Sequence, residues 1–140
     1  MKSVDLIIIN DGEVRMLAED DNLIRASRQL IAMVGCQTLI IKKGENGVLA
    51  FHGDDMIALP AYPTENVVDP TGCGDSFAGT IAACLAANNG PISKSELRDA
   101  LIRATVTASF TLESFGTSGL IGLTLEKFKL RLAQFEEILS

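Results

Sequence analysis

Asp69, Thr71, Gly72, Cys73, Gly74 and Asp75 fall within seven residues of one another. They lie in the run Val67-Val68-Asp69-Pro70-Thr71-Gly72-Cys73-Gly74-Asp75-Ser76-Phe77-Ala78-Gly79, which leads into the helical pattern Thr80 to Ala86. Two glycines around one small residue let backbone N–H groups crowd together, and the helix that follows adds the positive end of its dipole. Such a turn attracts anions. A carboxylate at its mouth, Asp75, fits an anion site only where it handles a proton or a cation.

The segment resembles the second signature of the ribokinase-like (PfkB) carbohydrate kinase family, Asp-x-Thr-Gly-x-Gly-Asp at the mouth of a helix. Asp69, Thr71, Gly72, Gly74 and Asp75 stand where that pattern requires them, and Cys73 takes a position where the family usually has a small residue such as alanine. A run of fixed positions this dense is far more specific than a lone glycine motif. The resemblance implies an α/β fold: a ribokinase-like three-layer α/β/α body with a mainly parallel central sheet and the site at the C-terminal edge of its strands. It also implies phosphoryl transfer from ATP to a hydroxymethyl group of a sugar or nucleoside. Members of the family are longer and carry this motif nearer the C-terminus. The 140 residues are therefore expected to form a single domain equivalent to the C-terminal, nucleotide-binding half, with the N-terminal half and the β lid absent.

Phosphoryl transfer to an alcohol needs a proton acceptor, N–H or positive character around the moving group, and a divalent cation on the nucleotide. Asp75 is placed to be the base, and the amides of Gly72, Cys73, Gly74 and Asp75 to form the anion hole. The competing use of Asp75 is as a helix cap, the ordinary role of an aspartate ahead of an apolar helical run. The flanking pattern favours catalysis.

Asn10-x-x-Glu13, at the end of the first strand pattern and about 60 residues before the signature, is similar to the family's Asn-x-x-Glu element, which organises Mg²⁺ and phosphate largely through water. A hard cation that keeps several waters suits a single carboxylate, Glu13. Lys43-Gly44-Glu45-Asn46-Gly47 looks like the family's Gly-x-x-Gly turn beside the nucleotide, with Lys43, Gly44 and Gly47 near ribose and phosphate. A tight hairpin that touches nothing is the alternative. Asp69 and Thr71 correspond to residues that help to hold K⁺ in potassium-activated members, and carbonyls from Ser114 to Gly119 would complete that cage. Asp69 bonding its own turn is the plainer alternative. Small residues from Ala104 to Ser109, Thr105 among them, suit either an adenine-facing wall or plain helix packing.

The alternatives to a sugar or nucleoside kinase are a vitamin kinase acting on pyridoxal or hydroxymethylpyrimidine, a nucleotide-binding module without turnover, and a fragment with no function of its own. The usual anion-hole sequences of the vitamin kinases differ from Asp69 to Asp75. The balance of 12 basic against 18 acidic residues, net −6, disfavours nucleic acid and anionic membranes. No apolar run reaches the roughly 20 residues needed to cross a bilayer, and Met1 to Asp5 does not read as a signal peptide. A cytoplasmic protein acting on small molecules is expected, with self-association through the surface that would face the absent half. Cys36, Cys73 and Cys84 lack disulfide or zinc spacing, and His52 reads as a surface or loop residue.

The elements follow from pattern. Val4 to Ile9 reads as a buried strand closed by Asn10-Asp11-Gly12. Val14, Met16 and Leu17 give a helical turn. A helix follows with Asp20, Asp21 or Asn22 as cap and Gly35 as stop, then a strand at Thr38 to Ile41. Strand, helix, strand suggests a crossover between parallel neighbours. Val48 to Phe51 and Met56 to Leu59 are short strands after turns. Ser93 and Glu96 have capping-box spacing for a helix from about Ser95 to Leu112, Glu113 to Gly122 is glycine-rich loop, and Thr124 opens a last helix that runs through Leu139.

Overall fold

A computed structural model describes residues 6–64, 73–86, 91–113 and 123–140. They belong to two compact units, Met1–Ala61 and Tyr62–Ser140.

The first unit is built on a four-stranded sheet in the order β1-β2-β3-β4. Its strands are β1 (Leu6–Asn10), β2 (Thr38–Lys42), β3 (Val48–His52) and β4 (Asp55–Leu59), and helices α1 (Asp11–Ala18) and α2 (Leu23–Val34) lie between β1 and β2 in the chain. β1 and β2 are parallel, as the strand, helix, strand order suggests, whereas β2–β3 and β3–β4 are antiparallel. The described sheet is therefore mixed rather than mainly parallel. The links 43–47 and 53–54 are too short for a crossover and close hairpins instead.

One sheet face carries two cross-strand rows, Ile7–Leu39–Phe51 and Ile9–Ile41–Leu49. Both rows join Val14 of α1 and Ala26 and Leu30 of α2 in a single apolar cluster. Each fully buried aliphatic or aromatic side chain contributes about 1.5–3 kcal/mol, so this interface is a major source of the unit's stability. Local signals set where its helices begin and end. Asn22 Oδ1 accepts from Arg25 N at 2.9 Å to start α2, and Gly35, at φ 75°, ends it. Asp20 supports that start, accepting from Asn22 N at 2.9 Å. The hydrogen-bonded Arg25 guanidinium holds the Asp20 carboxyl below its ordinary pKa.

His52 is the last residue of β3 rather than a loop residue, and its Nδ1 lies 2.7 Å from Thr38 Oγ1 on the neighbouring strand. Alternation places it in the sheet ladder, a structural role that its isolation in the sequence hid.

The second unit contains α3 (Cys73–Ala86), α4 (Lys94–Leu112) and α5 (Leu125–Leu139). The expected caps are present: Ser93 Oγ accepts from Glu96 N at 3.1 Å, and Thr124 Oγ1 from Lys127 N at 3.2 Å. Leu97, Leu101, Ile102, Ala104 and Val106 bury more than one side of α4, as in a helix that is central to its unit. α3 and α5 both pack on it. Among the described residues, no helix is long and apolar enough to cross a membrane.

The tightest backbone approach in the first unit is at Gly47, with φ 94° and ψ −146°. A Cβ there would stand 2.1 Å from Leu59 O and 2.8 Å from Pro60 Cα. Gly35 also has positive φ but faces open space. Gly47→Ala should therefore lower stability by more than about 3 kcal/mol, strain and clash together, against about 1 kcal/mol for Gly35→Ala. Urea unfolding of the two variants checks this, and equal losses would contradict it.

Candidate active site

The helix that the signature enters begins earlier than its apolar pattern suggests. Cys73, Gly74 and Asp75 are the first three residues of α3, which starts at Cys73 and not near Thr80. Gly74 and Gly79 each cost a helix about 1 kcal/mol relative to alanine, and packing of α3 on α4 outweighs that. The first turn of a helix has no i−4 carbonyls to receive its N–H groups. Asp75 is exposed and lies inside this turn rather than ahead of it, so it is not the residue that caps α3.

Several side-chain bonds hold the turn. Ser76 Oγ donates to Cys73 O at 3.0 Å, and Thr80 Oγ1 donates to Ser76 O at 2.8 Å. Across the helix interface, Thr111 Oγ1 donates to Ser76 Oγ at 3.2 Å and Cys73 Sγ donates to Ala108 O at 3.6 Å. Thr111 is fully buried, so its hydroxyl has no water to turn to.

Asn10 and Glu13 form a second group, at the end of β1 and the start of α1. Asn10 caps α1, with Oδ1 accepting from Glu13 N at 2.8 Å, while its Nδ2 donates to Glu13 Oε1. Both residues are exposed. Parallel pairing sets Asn10 opposite Lys42, which brings Asn10 and Lys43 to the same edge of the sheet, at the C-terminal ends of neighbouring strands. Lys43 N–H donates to Gly47 O at 2.8 Å and Asn46 N–H to Lys43 O at 3.0 Å, closing a tight turn whose Gly44 is exposed at φ 58°. Within this turn Gly47 lies against Leu59 and Pro60.

Thr105 is buried, and its Oγ1 donates to Leu101 O at 2.8 Å. Its neighbours Ala104 and Ser109 are buried as well, and the Ala108 carbonyl receives Cys73, so this stretch of small residues serves close helix packing. Gly72, Asp69, Thr71 and the stretch Ser114 to Gly119 lie outside the described residues. Among the described residues, no group of three or more His, Cys, Asp or Glu side chains could hold a metal ion.

One polar cluster of the second unit has no counterpart in the sequence reading. Arg131 Nη1 donates to Glu113 Oε1 at 2.8 Å and to Ser109 Oγ at 3.1 Å, and Thr64 Oγ1 donates to Glu113 Oε2 at 2.6 Å. The guanidinium lies 3.9 Å from the Phe110 ring centroid and 4.8 Å from that of Tyr62. A planar cation can stack and pair at once. Its partners are dispersed along the chain at positions with no helical or strand spacing to Arg131, so pattern could not find them.

The model of the pfkB family carbohydrate kinases matches residues 1–121. Cytidine kinase of Thermococcus kodakarensis is 38% identical over 82 residues, which cover 57% of this chain and 29% of that protein. Fructokinase-2 of Oryza sativa subsp. japonica is 32% identical over 101 residues, covering 71% of this chain and 30% of its own. Among solved structures, aminoimidazole riboside kinase of Salmonella enterica, complexed with aminoimidazole riboside and an ATP analog, aligns with a TM-score of 0.78 at 25% identity, over 91% of this chain and 42% of that one. The chain thus spans less than half the length of each of these relatives.

The Arg131 cluster sets a stability prediction. Both partners of the ion pair are 19% exposed, and removing the cation leaves the Glu113 carboxylate poorly solvated. Arg131→Met should cost about 2 kcal/mol in urea unfolding, and Arg131→Lys should recover only part of it because an ammonium cannot stack and pair in the same plane. A methionine variant as stable as the parent would remove the cluster from the account.

Proposed function

Because this chain belongs to the pfkB family of carbohydrate kinases and has a ribokinase-like α/β fold, we propose that it carries the nucleotide-binding and phosphoryl-transfer residues of a kinase that phosphorylates a hydroxymethyl group of a sugar or nucleoside with ATP. The observation that carries this reading is the first turn of α3, where an exposed carboxylate, Asp75, sits among first-turn amides between Cys73 and Ser76, both of which are bonded to α4. The relatives' names, cytidine kinase and fructokinase, supply the acceptor class.

In this reading the acceptor hydroxyl gives its proton to an Asp75 carboxylate oxygen as its own oxygen attacks the γ-phosphorus. The new O–P bond forms as the bond to the β,γ-bridging oxygen breaks, and ADP leaves with that electron pair. The amides of Gly72, Cys73, Gly74 and Asp75 stabilise charge on the transferring group, a task that fixed N–H dipoles perform without reorganising. Asn10, Glu13 and the exposed Gly44 of the Lys43–Gly47 turn, at one sheet edge, would lie beside the nucleotide. Thr105, buried with its hydroxyl engaged, is left to packing.

The donor set fits Mg²⁺. Glu13 offers a hard, exposed carboxylate on which Asn10 engages one oxygen, and a hydrated ion needs few protein ligands. Bound to the nucleotide, the ion supplies neutralisation of phosphate charge. Asp69 and Thr71 are the residues that we assign to a K⁺ site. The reading takes the kinase to act in the cytoplasm, where ATP is made available.

Two variants test it. Asp75→Asn should lower kcat for ATP-dependent phosphorylation of a panel of pentoses, hexoses and nucleosides by at least about a hundredfold, with KM for Mg-ATP little changed; undiminished turnover would defeat the assignment. Asn10→Ser preserves a good helix cap, so stability should move by only a few tenths of a kcal/mol. Mg-ATP affinity should nonetheless fall severalfold, and unaltered affinity would reduce the Asn10–Glu13 pair to a cap.

A further inference from the structure

The threonines of α4 use their hydroxyls in two ways. Thr105 and Thr107 donate to the carbonyls four residues back, Leu101 and Arg103, at 2.8 and 2.9 Å. That is the ordinary outlet for a threonine inside a helix. Thr111, fully buried in the last turn, instead donates across the interface to Ser76 Oγ on α3. Ser76, with one hydroxyl hydrogen, donates it to Cys73 O. The two bonds run in one direction, from Thr111 through Ser76 to Cys73.

The end of this relay matters because of peptide geometry. The Cys73 carbonyl and the Gly74 N–H belong to one planar peptide unit and point in opposite directions. Fixing the carbonyl fixes the amide. Cys73 Sγ, bonded to Ala108 O, holds the same residue from its side chain. Thus Cys73, whose carbonyl shares a peptide unit with the Gly74 N–H just ahead of Asp75, is held at two atoms, its Sγ directly by the C-terminal half of α4 and its carbonyl oxygen by Ser76.

We propose that Thr111 is a positioning residue for phosphoryl transfer: through Ser76 it sets the direction of the Gly74 N–H and the placement of Asp75. This inference rests on the kinase reading above, and it adds residues that touch neither nucleotide nor acceptor. Thr111 acts on the transition state more than on nucleotide binding, because an amide misdirected by a fraction of an ångström loses most where charge develops. The hydroxyl is what matters at position 111, so serine suffices there and valine, of nearly the same shape, does not.

The test compares Thr111→Val, Thr111→Ser and Ser76→Ala in this chain. Steady-state phosphorylation is measured together with the rate at which a maleimide modifies Cys73, read by peptide mass spectrometry. That mapping separates Cys73 from Cys84 and from Cys36, whose burial pushes its thiol pKa up. Thr111→Val and Ser76→Ala should each lower kcat about tenfold while KM for Mg-ATP stays within about twofold, and Cys73 should react several times faster. Thr111→Ser should behave as the parent. Unchanged kcat in the valine and alanine variants, or a serine variant as impaired as the valine one, overturns the proposal. Ser76 is only partly buried, so Ser76→Ala keeps the test open should Thr111→Val not fold. A parent chain without turnover counts against the kinase reading itself, and the Cys73 rates then decide the anchoring alone, with unchanged rates overturning it.

Discussion

The second unit depends on how closely α3 approaches the C-terminal half of α4. A helix that begins Cys73-Gly74-Asp75-Ser76 has little intrinsic reason to begin there, since glycine and serine favour other conformations. What holds the turn is the neighbouring helix. Ala108 presents a carbonyl to Cys73 and Thr111 a hydroxyl to Ser76, while Phe77 and Ile81 bury the apolar side of α3. Small side chains on α4 allow this approach, and α4 can present them because it is buried on more than one side. Asp75 stays exposed on a turn whose neighbours are anchored. A reactive carboxylate needs both conditions, access from solvent and a fixed base.

The two units divide the motif set. The first holds Asn10, Glu13 and the Lys43–Gly47 turn at one sheet edge, because parallel pairing of β1 with β2 aligns their C-terminal ends. The second holds Cys73, Gly74 and Asp75 on a helix. The chain belongs to the pfkB family of carbohydrate kinases and spans less than half the length of the cytidine kinase, fructokinase and riboside kinase to which it is similar.

Much of this was legible in the sequence wherever a local physical rule acts. Asn22, Ser93 and Thr124 cap helices because a short polar side chain reaches the amide three residues on, and Gly35 ends α2 because it tolerates positive φ. The signature was legible for the same reason: its residues are contiguous. Three features were not. The early start of α3 is a tertiary effect that overrides propensity. Gly47 reads as a turn glycine, yet the steric demand on it comes from Leu59 and Pro60, which sequence spacing does not place there. Arg131 looks like any charge on an amphipathic helix, and its role arises only when Tyr62, Thr64, Phe110 and Glu113 are folded around it.

The central claim is that the first turn of α3 belongs to a nucleotide site in this chain, and calorimetric titration with Mg-ATP tests it most directly. The account predicts saturable binding at micromolar concentrations, weakened at least tenfold when Gly74 is replaced by a bulky β-branched residue that crowds the first-turn amides, in a variant whose circular dichroism is that of the parent. No heat of binding from a folded parent chain, or equal affinity in the Gly74 variant, would contradict it.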